Sequence, residues 1–180
     1  MEELKFLSQG QEVSLEDILK RNEERQNQIY QLINKHPEGA VIKFSLNIPG
    51  PIKTNEYIEK LYIYGVELLK KELEKKLIKI VGAMEFDLIT GPEFIAAVDG
   101  KPEEVKRICI AIEESEVGRL FDFDVEGKTG PIGRENINIP SRKCFLCGKD
   151  AKICRRNRNH KLHELLMFID EMLENHIINM

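Results

Sequence analysis

Two aspartates carry the first chemical signal in this chain. They lie in Gly118-Arg-Leu-Phe-Asp-Phe-Asp-Val125. Side chains of a strand alternate, so Asp122 and Asp124 share one face while Phe121, Phe123 and Val125 anchor the other. Two carboxylates at that spacing can cradle Mg2+, which takes one or two carboxylates and completes its shell with substrate phosphate oxygens. Arg119 and Arg134 can balance phosphate charge nearby. Metal-assisted nucleotidyl transfer is the chemistry that such a pair serves. The plain alternative is a solvent-facing strand with ordinary acids.

Cys144-x2-Cys147-x6-Cys154-x5-His160 is the second group. Three thiols and an imidazole can close a tetrahedral Zn2+ site. The surrounding positive charge lowers thiol pKa and favours thiolates. It also favours anions. Reduced free cysteines beside a basic phosphate site, or a disulfide, are therefore competing readings. His163 is a rival ligand or a helix-face histidine, and Cys109 reads as core. A third group is the stiff loop Asn47-Ile-Pro-Gly-Pro-Ile-Lys53, whose lysine, asparagine and free amides can grip a phosphate. It has no Gly-Lys-Ser/Thr. Glu113 and Glu114 close a helix near Gly118, where one of them could reach the site, and a solvated helix end is the plainer reading.

The elements that would position these residues follow from periodicity. Ser14-x-x-Asp17 resembles a capping box. Leu15, Ile18, Leu19, Ile29, Leu32 and Ile33 then give a helical stripe to about Lys35. Arg21 and Arg25 share one face of it, with two solvated charges as the plain reading. His-Pro-Glu-Gly at 36–39 breaks the helix. Val41 to Asn47 alternates as a half-buried strand, with Val41, Lys43 and Ser45 on one side. A second helix spans about Thr54 to Lys76, with Gly65 on its inner face to permit close packing on a sheet. Strands are expected over 77–89, 93–98 and 120–125, with a helix from Pro102 before the last. The order β-α-β-β-α-β is that of the ferredoxin-like fold, a four-stranded antiparallel sheet with two helices on one face. A basic loop follows, then a C-terminal helix from about Lys161, with Leu165, Ile169, Leu173 and Ile177 on its apolar face.

The chain has 180 residues, 42% of them hydrophobic and 32% charged. That suits one α+β catalytic domain over residues 1–180, large enough to bury roughly 70% of its extended surface. Apolar runs stop far short of the roughly 20 residues of a membrane span. The segment MEELKFLSQG shows no secretory signal, so the expectation is a cytoplasmic protein with reduced thiols. The net charge is −4, but 142–161 carries eight Lys or Arg against Asp150 alone. The remainder therefore carries −11. Phe145 is the only aromatic residue in the basic strip. That counts against nucleic acid, which single-strand binders hold on stacked rings.

Three blocks in order resemble one family. They are Ser45-Leu-Asn-Ile-Pro-Gly-Pro-Ile-Lys53, Gly118 to Val125, and Ser141-Arg-Lys-Cys-Phe-Leu-Cys147 with Ala151, Cys154, Arg156 and His160. Together they look like the citrate lyase holo-acyl-carrier-protein synthases, also called apo-citrate lyase phosphoribosyl-dephospho-CoA transferases. The resemblance runs from about Ser14 to the C-terminus. It implies transfer of a 2′-(5″-triphosphoribosyl)-3′-dephospho-CoA group to a serine of the citrate lyase acyl-carrier (γ) subunit, with release of pyrophosphate. On that reading Asp122 and Asp124 hold Mg2+, and Arg119 and Lys53 hold the triphosphate. Arg142, Arg156 and His160 hold the rest of the donor or the carrier, and Asn47 orients a ribose or phosphate. The chain departs from the family pattern at Ser115-Glu116, where His-Pro often stands. If that histidine is the base in relatives, this chain must use another, such as His160 or one of the aspartates, and the resemblance assigns none of them. The alternatives are the malonate decarboxylase carrier as acceptor, or a zinc-knuckle nucleic-acid binder with no catalysis.

Overall fold

A computed structural model describes residues 4–115 and 117–178, and the side chains of those up to His176. Glu116 and the side chain of Ile177 lie outside the described residues. Helix α1 (Leu15–Lys35) starts where Ser14 Oγ accepts from the Asp17 N–H, and it ends at His36. Strand β1 (Ala40–Leu46) follows, then α2 (Glu56–Lys75), capped by the Asn55 side chain accepting from Tyr57 and Ile58. Next come β2 (Ile80–Phe86), β3 (Glu93–Val98), α3 (Pro102–Glu113) and β4 (Phe121–Gly127). A short strand, β5 (Gly130–Pro131), adds to the four expected. Helices α4 (Ala151–Arg156) and α5 (Leu162–Ile178) complete the chain. The stretch expected as a basic loop therefore holds a helix. Among the described residues, no helix is long and apolar enough to cross a membrane.

The sheet is antiparallel in the order β2-β3-β1-β4-β5. Its central strand β1 is buried on both faces, not one. Ile42 and Phe44 pack with Phe121, Phe123 and the inner faces of α2 and α3. The opposite face, with Val41, Ile95 and Ala97, is covered by Ile29 and Leu32 of α1. Leu15 and Leu19 of the predicted stripe remain exposed, because the first turns of α1 run past the apolar part of the sheet.

Two glycines let elements approach closely. A Cβ on Gly65 would lie 2.4 Å from Phe44 Cζ, so α2 sits nearer the sheet than any larger residue permits. A Cβ on Gly118 would meet the Ile112 carbonyl oxygen at 1.9 Å. That contact packs the turn before β4 onto the end of α3 and fixes where Arg119 and Asp122 emerge. The first residues are tied to α5 by the buried Asp170 carboxylate. It accepts from the backbone N–H groups of Lys5, Phe6 and Leu7 at 2.6, 3.0 and 2.9 Å.

Candidate active site

β4 presents Asp122 and Asp124 on the face of the sheet that α1 partly covers. β1 sets Lys43 directly opposite Asp124, and Ser45 opposite Asp122. The Lys43 ammonium reaches Asp122 Oδ2 at 3.0 Å and Asp124 Oδ2 at 2.8 Å. Burial alone would push Lys43 down, but the two carboxylates outweigh it and hold its pKa raised. Burial likewise opposes ionisation of Asp122. The charge and hydrogen bond of Lys43, with Arg142 and Lys106 behind it, prevail and keep that carboxyl below its usual range.

Glu113, expected as part of a solvated helix end, is buried instead. Its carboxylate bonds Arg142 at 2.8 Å, Arg134 at 2.9 Å and the Phe123 N–H at 3.1 Å. Arg142 also donates to the Phe121 carbonyl at 2.5 Å. One acid thus clamps two arginines against the aspartate strand. Arg119 donates to the Lys143 carbonyl at 3.0 Å, and its guanidinium stands 5.0 Å from the Phe145 ring centroid.

The thiol cluster lies on the same side. The Sγ of Cys154 is 3.4 Å from that of Cys144 and 3.9 Å from that of Cys147. All four cysteines are unbridged, which sets aside the disulfide. The ligand atoms of Cys144, Cys147, Cys154 and His160 lie within 4.8 Å of one another. Tetrahedral zinc with Zn–S near 2.3 Å requires S–S edges of about 3.8 Å, so the spacing suits a metal ion. His160 Nε2 is buried and has no hydrogen-bond partner, as a nitrogen held in place for a metal would be. His163, exposed on α5, stands outside the group. Burial pushes the Cys144 thiol up. The N–H groups of Cys147 and Leu146, together with the two neighbouring thiols, outweigh it and bring it down to about 7. Burial and the neighbouring sulfurs push Cys154 up to about 11.

These groups line one cavity of about 1320 Å3. The aspartates and Lys43 form one wall, with Arg119, Arg134 and Arg142 at the junction and the thiol cluster and α4 opposite. Asn47 reaches it from the end of β1. Cys147 stands outside its lining, and two expected substrate-binding residues do not line it either. Lys53 turns inward to donate to the Ile48 carbonyl at 2.6 Å, with burial lowering its pKa, and stiffens the proline loop. Arg156 points away on α4. Lys43 is the residue that sequence reasoning missed as a site member, while for Glu113 a place in the site is the less favoured of two readings of its helix end. A lysine among Val41, Ile42 and Phe44 was the visible clue, but only the strand register shows what it meets.

The family profile described as apo-citrate lyase phosphoribosyl-dephospho-CoA transferase matches residues 13–176. The chain is 32% identical over 169 residues to the "Probable apo-citrate lyase phosphoribosyl-dephospho-CoA transferase" of Streptococcus pyogenes serotype M18, covering 91% of this chain and 87% of that one. It is 30% identical over 163 residues to the apo-citrate lyase phosphoribosyl-dephospho-CoA transferase of Escherichia coli O1:K1, covering 89% and 88%. It is 35% identical over 173 residues to the protein CitXG of Leuconostoc mesenteroides, covering 94% of this chain but 37% of that longer one. The profile match spans the aspartate strand, the arginine clamp and the thiol cluster alike, and the chain belongs to the apo-citrate lyase phosphoribosyl-dephospho-CoA transferase family.

Proposed function

We propose that the chain attaches the 2′-(5″-triphosphoribosyl)-3′-dephospho-CoA group to a serine of the citrate lyase acyl-carrier subunit. The observation that carries this is one large cavity with paired carboxylates on one wall and unpaired cations on the other. The serine oxygen bonds to the phosphorus nearest the ribose. The bond from that phosphorus to the bridging oxygen breaks, its electron pair leaves on pyrophosphate, and a phosphodiester remains. His160 is committed to the thiols, so the serine proton passes to one of the paired carboxylates. Arg119 and the unpaired Lys152, Arg155 and Arg158 hold triphosphate oxygens, Arg134 and Arg142 stay clamped by Glu113 at the junction, and Asn47 orients the donor at the mouth of the β1 loop. Fixed cations at the place where charge develops are the main source of acceleration in such a site. Holding serine and phosphorus in line supplies much of the rest.

Asp122 and Asp124 are also the residues that would hold Mg2+, sharing their carboxylates with the Lys43 ammonium. The ion would add positive charge for the leaving pyrophosphate. The three thiols and His160 suit zinc as a structural ion, since soft thiolates with one imidazole select it. The strand order β2-β3-β1-β4 with α2 and α3 on one face supports a ferredoxin-like core with β5 added, and the whole chain acts as one catalytic unit.

The test is mass spectrometry of purified apo-carriers incubated with donor and enzyme. The citrate lyase carrier gains the prosthetic group, and the malonate decarboxylase carrier gains it far more slowly. Asp122→Asn and Asp124→Asn each lower the rate by about 100-fold or more while the far-ultraviolet circular dichroism stays unchanged. Labelling at the wild-type rate by both variants would remove the aspartates from the mechanism.

A further inference from the structure

We infer that the outward face of α4, with Ile153 at its centre and Arg156 beside it, docks an acidic face of the protein acceptor. This rests on the transferase reading above. The basic strip does two jobs because α4 divides it. Lys152 and Arg155, three apart, line the cavity with Arg158 beyond them. Cys154 points inward to the thiol cluster. Ile153 and Arg156, also three apart, occupy the remaining face and stand outside the cavity.

That outward face has the composition of a protein interface. Ile153 is 59% exposed although it is a branched aliphatic residue among cations. A hydrated polyphosphate has no use for it. An apolar centre ringed by charge is how protein surfaces meet. The cations are unspent as well. Among the described residues, the side chains of Lys149, Arg156 and Lys161, which stand outside the cavity, make no hydrogen bond or ion pair, and each is exposed. Arg21, Arg25, Arg134 and Arg142, by contrast, are all paired with acids. The rest of the chain, at −11, repels an acidic partner, so this strip is where such a partner is drawn and oriented. Nucleic acid fits less well, since the face offers an aliphatic side chain and no ring to stack on.

The position also suits the reaction. The outward and cavity faces of α4 are separated by one helix diameter, about 10 Å. A carrier seated on Ile153 and Arg156 therefore lies within about one helix diameter of the donor cavity.

The test uses the full chain, the apo-carrier and the donor, with KM measured for each substrate at about 50 and 300 mM NaCl. Arg156→Glu and Ile153→Asp are each expected to raise the carrier KM about tenfold or more. Both should leave the donor KM and the rate at saturating carrier unchanged. Arg156→Glu also flattens the salt dependence of carrier binding, and Arg156→Lys restores it. An unchanged carrier KM in both variants would overturn the proposal. So would an equal rise in the donor KM, or tighter binding of a single-stranded RNA oligonucleotide than of the carrier. If the wild type labels no carrier at all, the transferase reading fails first and this surface falls with it.

Discussion

Lys43 decides how the paired aspartates behave. Without its ammonium, two carboxylates two residues apart on one strand repel each other across a partly buried surface. The pH dependence follows from the directions of the shifts. The Asp122 pKa is depressed on folding, so its contribution is present above about pH 4 and is lost as pH falls through the folded value. The Lys43 pKa is raised, so its contribution is complete below about pH 10.4 and is lost as pH rises through the folded value. Lys43→Met is therefore expected to lower the thermal midpoint across the neutral range, by an amount that shrinks below about pH 4. Melting curves from pH 3 to 11 check this, and a deficit independent of pH would contradict the pairing. The Asp-x-Asp face was legible because strand alternation is local. Lys43 was visible but silent, because its meaning depends on β1 pairing in register with β4. Glu113 was only half legible for a similar reason: a helix end reads as solvated until the chain that covers it is known.

Elements were more legible than their surroundings. Caps, breakers and periodicity located α1, α2, β3, α3 and α5 to within a few residues, since those signals act within one turn or one pleat. The face that each element buries depends on its neighbours, and there the reading of α1 changed. Arg21 and Arg25 are not two solvated charges. Arg21 donates twice to Glu93 Oε2, at 3.0 and 2.7 Å, and Arg25 joins the other oxygen, Oε1, at 2.5 Å. Glu93 opens β3 almost fully buried, so this triad pins α1 across the sheet on the same face as the aspartates. Removing one member of a buried ionic group leaves the others uncompensated, which typically costs about 3 to 5 kcal/mol. Glu93→Gln is expected to lose stability of that order in urea unfolding. Carrier labelling at low temperature should persist, since Glu93 stands outside the cavity. A loss under 1 kcal/mol would mean that the triad is solvated after all.

For the whole molecule, the two halves of the charge pattern meet in one cavity. The −11 body contributes the paired acids, and the +7 strip contributes the opposing wall. The thiol cluster joins that wall to the arginine junction, because Cys144 follows Arg142 and Lys143 directly and Phe145 lies beneath Arg119. Protein purified without chelators is expected to hold one zinc per chain by elemental analysis. Cobalt exchanged into it should show the strong thiolate charge-transfer band of a tetrahedral site. Cys144→Ser should lose both the ion and affinity for the donor, and stoichiometric metal retained in that variant would exclude the cluster. Sequence spacing proposed this ligand set and the cavity completed its context, since His160 and His163 were separable only by where the start of α5 lies. The Asp170 tether sets a different kind of demand, one of timing. It joins residues 163 to 165 positions apart, and Leu7, which it holds, belongs to the core. At about 5 to 20 residues per second, a ribosome needs on the order of ten seconds to reach Asp170 after making Leu7. Throughout that interval the backbone N–H groups of Lys5, Phe6 and Leu7 lack the carboxylate that accepts from them in the folded chain.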